Sequence, residues 1–221
     1  MKLSLNAKMV LAASAWAMKG TDAIRGLDAV FAHAHPKGGA VIIATDGYRI
    51  VVVHDGAGTV SAPSSINLTP ALKKAIKAAG DDAAITTDGA HAVFEGVHYP
   101  ECIGSGAHFP TYRRVVKIAI DDLKTQARAS AQFNLRYVAD AVAMGKALGG
   151  ASEPYPSIRF TSVTEDSGAL IQWTGVPHAF GILMPMRASL VVGVPNWMRP
   201  VMTAAEAKIT GRKPSPKRKA A

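Results

Sequence analysis

Residues 109–115 read Phe-Pro-Thr-Tyr-Arg-Arg-Val, two aromatics, a proline and two adjacent arginines in seven positions. These types bind rather than react. Arginine and aromatic side chains so close together suit a site better than a plain strand. Pro110 fixes its own φ and pushes Phe109 into an extended conformation. The stretch therefore reads as a stiff connector with a charged, aromatic end, either a binding element or a junction between two domains. Other residues with chemical potential are dispersed. His33 and His35 stand two apart, which in a strand puts both on one face, yet no third ligand is nearby and no metal is expected. Gly145-Lys146-Ala147 lacks the hydroxyl of a phosphate-binding loop and lies inside a predicted helix. No Gly-x-Ser-x-Gly elbow is present. Asp81-Asp82 and Asp121-Asp122 follow cap and turn logic better than catalytic pairing. Neither catalysis nor a cofactor is expected.

The chain has 221 residues, enough for one or two domains, and 48% hydrophobic residues can build a real core. A formal net charge of +9 points to a polyanionic partner, nucleic acid ahead of an anionic membrane. Cys102 is the single cysteine. It excludes an intrachain disulfide and any multi-cysteine metal site, and fits a reducing, cytoplasmic setting. The first 18 residues have some signal-peptide character, but Asn6 and Lys8 interrupt the apolar run, and an amphipathic first helix is the better reading. No run reaches the roughly 18–20 apolar residues that cross a bilayer.

Local signals repeat along the chain. Residues 3–5 suggest a strand, Asn6 an N-cap, residues 7–19 a helix and Gly20 its stop. Strands are expected over 40–45 and 48–54, joined through Asp46-Gly47, a strong hairpin signal. The pattern recurs with a strand over 66–68, the Thr69 cap, Pro70 at the first helical position and a helix over 71–79. Strands over 83–87 and 92–94 follow, with Asp88-Gly89 between them. A third round has Asn134 as cap, a helix over 135–148, and strands over 157–163, 169–173 and 179–185. Residues 103–106 read as a flexible connector. Residues 118–130 resemble the strand and helix of a degenerate unit, with no room for its hairpin. The fold class is α+β, in repeated strand-helix-hairpin units. Beyond Arg187, prolines break the chain and cations accumulate, as in a largely disordered basic tail with a short helix over 203–209.

Four stretches, in this order, resemble the bacterial DNA polymerase III beta subunit, the sliding clamp. They are Ala44-Thr45-Asp46-Gly47-Tyr48-Arg49-Ile50, residues 109–115, Phe133-Asn134-Leu135-Arg136-Tyr137 and Met184-Pro185-Met186-Arg187. The resemblance covers roughly residues 1–187. It implies a clamp fold in which helices line a ring around duplex DNA and sheets face outward. It also implies a processivity factor that tethers a DNA polymerase and other clamp-binding proteins through a peptide pocket. On this chain the pocket positions are Thr45, Gly47, Tyr48, Arg49, Ile50, Pro110, Arg114, Val115, Ile182, Met184, Pro185 and Met186. The core-packing alternative applies to Ile50, Val115 and Ile182. Tyr48 stands where the family has histidine, and Thr111 where it has aspartate. Sequence-blind phosphate contacts fall to Lys19, Arg25, Lys73, Lys74, Lys77, Arg136 and Lys146 on or near the helices. In the tail they fall to Arg212, Lys213, Lys217, Arg218 and Lys219. Each could instead sit on a solvated face.

The implied organisation is a clamp-like domain over residues 1–116, a shortened one over 117–187 and the basic tail over 188–221. The chain is shorter than the family's three-domain subunit, which suggests a phage or mobile element as source. A head-to-tail homo-oligomeric ring then needs four chains if three units count, favoured over three chains if the degenerate unit counts. The alternative is a clamp-like interaction protein that captures or blocks clamp-binding partners without encircling DNA.

Overall fold

The computed structural model describes residues 2–19, 27–88, 91–105, 112–123, 131–149, 152, 156–161 and 167–186. The chain divides into Met1–Arg187 and Ala188–Ala221, and all the described residues lie in the first unit. The expected helix over 203–209 and the tail cations lie outside the described residues.

Each round of the repeat begins with a leading strand and a capped helix. In the first, β1 (Leu3–Asn6) runs into α1 (Ala7–Ser14), and the Asn6 side chain accepts from the Met9 amide at 3.0 Å. The helix ends at Ser14 rather than at 19, because Ala15, Trp16 and Ala17 continue as tight turns. The hairpin strands are β2 (Val30–Ala34), β3 (Ala40–Thr45) and β4 (Arg49–Asp55), followed by the short β5 (Thr59–Val60). In the second round β6 (Ser64–Ile66) precedes α2 (Pro70–Ala78), whose Thr69 cap accepts from the Leu72 amide at 3.3 Å. Then come β7 (Ala84–Asp88), β8 (His91–Phe94), β9 (Val97–Tyr99) and β10 (Ile103–Ser105). The third round has α4 (Leu135–Ala147) capped by Asn134, then β11 (Ile158–Thr161), β12 (Ala169–Trp173) and β13 (Ala179–Leu183).

Two sequence expectations are corrected. Residues 103–105 are not a connector but a strand, because β10 pairs with β6 through Ile103↔Ile66. Residues 112–123 form one helix, α3 (Tyr112–Leu123), where an extended connector and then a strand were expected. Tyr112, Val116 and Ala119 recur at helical spacing and pack onto the sheet, and Lys117 bonds Asp121 one turn on at 2.5 Å.

All pairing is antiparallel, in two sheets of order β5-β1-β7-β8-β9 and β10-β6-β2-β3-β4-β13-β12-β11. The larger sheet joins the third round to the first through β4 and β13, from Ala179↔Val53 to Leu183↔Arg49. Alternate residues of β3 and β4 face opposite ways. Ile42, Ala44, Val51 and Val53 join a large core with residues of α1, α2 and α4, whereas Val41, Ile43, Ile50 and Val52 join a smaller one closed by α3. Both faces of the central strands are therefore covered, which explains why every residue of β3 is buried. No helix among the described residues is long and apolar enough to cross a membrane.

Arg49 ties the rounds together. It is 5% exposed, and its guanidinium bonds Asp46 at 3.0 Å, Asp140 of α4 at 2.7 Å and the Ala15 carbonyl at 3.2 Å. The same group lies 5.0 Å from the Trp16 ring and 4.5 Å from that of Tyr137. Gly145 is set by close packing, since a Cβ there would lie 2.3 Å from Trp173 Cδ1, and Trp173 Nε1–H donates to the Ala141 carbonyl at 2.8 Å.

Two predictions follow from these contacts. Arg49→Met strands two carboxylates and should lower unfolding free energy by on the order of 3 kcal/mol, read from urea midpoints at unchanged m-value. Burial, then the neighbouring His54, holds the His178 imidazole below its usual pKa. The folded chain thus binds fewer protons than the unfolded one, and stability should fall as pH drops through about 6.5 toward the folded-state value. His178→Gln should flatten that slope in thermal melts between pH 7 and 5.

Candidate functional site

The site starts from the β3–β4 turn. Thr45 is buried; its hydroxyl donates to the Arg49 carbonyl at 2.6 Å and accepts from the Gly47 amide at 3.1 Å. The Asp46 carboxylate accepts from the Tyr48 and Arg49 amides at 3.0 and 3.1 Å. Gly47 takes φ +90°, a left-handed conformation that favours glycine. With the turn held this way, Tyr48 projects outward and is 65% exposed.

Across the seam, Met184 donates its amide to the Tyr48 carbonyl at 2.9 Å, so the chain beyond β13 stays against the turn. Met186 donates to the Gln132 carbonyl at 2.7 Å, which ties the same stretch to the approach of α4. Met184 is 41% and Met186 50% exposed, with Pro185 half-buried between them. Tyr48, Met184 and Met186 thus present a rigid aromatic and two adaptable thioethers at a seam between two hairpins, a surface suited to apolar side chains.

The predicted pocket residues divide by depth. Ile50 and Ile182 stand opposite each other and are buried under α3. Thr45 and Arg49 are also buried, so both act from beneath the surface. Arg49 is committed to Asp46, Asp140 and two rings, a role its place in the turn motif did not disclose. Arg114 and Val115 lie on the exposed side of α3, and Pro110 lies outside the described residues. Burial, then the Asp46 charge, raises the phenol of Tyr137 above its usual pKa, so beside Arg49 it stays neutral at physiological pH.

The predicted cations also have positions. Helix α1 packs against both α2 and α4 on one face of the core. Lys73, Lys74 and Lys77 on α2, Arg136 and Lys146 on α4, and Lys19 beyond α1 are all exposed. Among the described residues none of the six makes an ion pair. Arg25 lies outside the described residues, as do Arg212, Lys213, Lys217, Arg218 and Lys219. The two candidate histidines have local partners: His33 Nε2 meets the Tyr112 hydroxyl at 2.7 Å, and the His35 ring lies 4.6 Å from that of His54. No metal-holding cluster occurs among the described residues.

No family model and no curated protein matches the chain. Solved structures do. A DnaN sliding clamp (DNA polymerase III subunit beta) from Bartonella birtlesii, bound to griselimycin, is 18% identical with a TM-score of 0.61, over 85% of this chain and 66% of that one. The beta sliding clamp of C. crescentus is 16% identical with a TM-score of 0.56, over 85% of this chain and 65% of that one. DNA polymerase III subunit beta from Borrelia burgdorferi is 8% identical with a TM-score of 0.57, over 86% and 63%. The chain thus spans just under two thirds of these clamps, and it has the fold of the DNA polymerase III beta sliding clamps.

Proposed function

We propose that the chain is a DNA sliding clamp, a non-enzymatic processivity factor that encircles duplex DNA as a ring of identical copies and holds a polymerase by a short peptide. The observation that carries this reading is the seam. The β4–β13 pairing sets Tyr48 against Met184 and Met186 as an exposed apolar patch, while α1, α2 and α4 pack side by side with free cations around them. The clamp fold supports both halves of the reading. In this proposal residues 1–116 are one clamp-like domain, residues 117–187 a shortened one, and the basic tail adds phosphate contacts. Phosphate contacts would carry affinity without sequence preference, and the ring would convert weak contacts into lasting retention.

Within the proposed pocket, Tyr48, Met184 and Met186 touch the peptide, and Pro185 shapes the strip between the methionines. Arg114 and Val115 are available from α3, and Pro110 belongs to the wall on sequence alone. Thr45, Gly47, Arg49, Ile50 and Ile182 hold the surface in shape. Tyr48→Ala and Met184→Ala should each weaken a fluorescent clamp-motif peptide of a DNA polymerase about tenfold, or about 1.4 kcal/mol. Anisotropy titration with unchanged melting of the variants reads this. An unaltered dissociation constant in both would remove the patch from the site.

A second reading rests on the seam by itself. A clamp-like protein that captures clamp-binding peptides would need the seam but not the ring. Retention on DNA separates the two. The clamp should stay on a nicked circular plasmid through gel filtration at 0.3 M salt and be lost when the circle is cut. Peptide binding without any retention would favour the capture protein.

A further inference from the structure

The first two rounds of the repeat close each other's sheets. Leading strand β1 of the first pairs with β7, the first hairpin strand of the second. Leading strand β6 of the second pairs with β2, the first hairpin strand of the first. In both rounds the leading strand and the first hairpin strand lie in different sheets, so a round cannot close on itself. The trailing strand of each round returns to its own leading strand, as β5 to β1 and β10 to β6.

The third round has the same parts and half of the same bonds. Residues 131–134 lead into α4 through the Asn134 cap, and the trailing residues return to them through the Met186 amide and Gln132 carbonyl. The last hairpin strand, β13, is taken by β4. Among the described residues, however, no strand pairs with the leading segment from a reciprocal round, and β11 is the end strand of its sheet. Those are the two places that a reciprocal round fills in the first part of the chain.

Helix α4 adds an exposed apolar surface beside these edges. Helices α1 and α2 pack on each other, as the two helices of a closed pair of rounds. Helix α4 packs on α1, yet Leu135, Ala139 and Val142 leave an apolar stripe at helical spacing in solvent, with Leu135 84% exposed. The equivalent positions of α2 are Pro70, Lys74 and Lys77, exposed and mostly charged, so the apolar character of this stripe is particular to α4.

We propose that a second copy of this chain fills both places, so that two third rounds build one complete clamp-like domain across a true two-fold axis. Residues 131–134 of each copy add antiparallel to β11 of the other, and the two α4 stripes pack together. The pairing opposes no like charges, because Ala131, Gln132, Phe133 and Asn134 are neutral and meet a strand whose one charge is Arg159. A two-fold contact also replaces a head-to-tail one here. Chains associate in pairs, and a twelve-unit ring takes four chains joined as two such pairs.

The proposal rests on the repeat seen in the fold and extends the ring reading, but its test is separate. Native mass spectrometry of the full chain, 23.1 kDa per copy, should give two or four copies. The double variant Leu135→Asp with Val142→Asp should shift the self-association constant at least tenfold toward single chains at unchanged far-UV circular dichroism. Ala139→Lys, a milder change on the same stripe, should act in the same direction. Three copies, or an assembly that neither variant moves, overturns the shared domain. Three copies that still bind the polymerase peptide and stay on circular DNA overturn it while leaving the clamp reading intact.

Discussion

The pairing of β4 with β13 is the contact on which the molecule depends. These strands are far apart in sequence and come from different rounds of the repeat. Five residue pairs, Ala179↔Val53 through Leu183↔Arg49, turn two local hairpins into one eight-stranded sheet. At its end Arg49 enters the core and binds the turn it leaves, the end of α1 and the middle of α4. A buried cation is costly unless its donors are satisfied and its charge is met. Here two carboxylates, a carbonyl and two aromatic faces meet it, and that requirement fixes where α4 stands relative to the first hairpin. The exposed Tyr48 and the methionines beyond β13 are consequences. They meet because the strands beneath them are paired and the turn between them is pinned.

Much of this was legible in the sequence, for physical reasons that can be named. Asn6, Thr69 and Asn134 mark helix starts because a short polar side chain meets amides that have no intrahelical partner. Asp46-Gly47 marks the hairpin because the turn needs a residue at ease with positive φ. The resemblance in residues 44–50 and 184–187 puts Tyr48 and the methionines in one site, and the fold brings Met184 against Tyr48 at the seam. The structural role of Arg49 is not legible in the sequence: its neighbours there announce a turn, but Asp140, Tyr137 and Trp16 reach it only through tertiary packing.

Helix α3 was missed for a related reason. The proline, aromatics and arginines of residues 109–115 signal a connector, and the helical spacing of Tyr112, Val116 and Ala119 begins only within that stretch. That stripe closes a second, smaller core against Phe31, Ile43 and Ile182. It covers the face of the sheet opposite the one on which α1, α2 and α4 pack. The short strands β5, β9 and β10 were also illegible, since two or three residues carry too little periodicity to separate from loop. Their pairing partners determine them.

The third round is locked to the first as one sheet, and the candidate site exists because of this lock. Hydrogen exchange by mass spectrometry tests it most directly. Peptides covering β4 and β13 should exchange slowly and together, and Arg49→Met should accelerate both, with α4 beside them, while β8 and β9 change little. Rapid exchange of β13 with β4 still protected would mean that the third round moves independently and that no such lock exists.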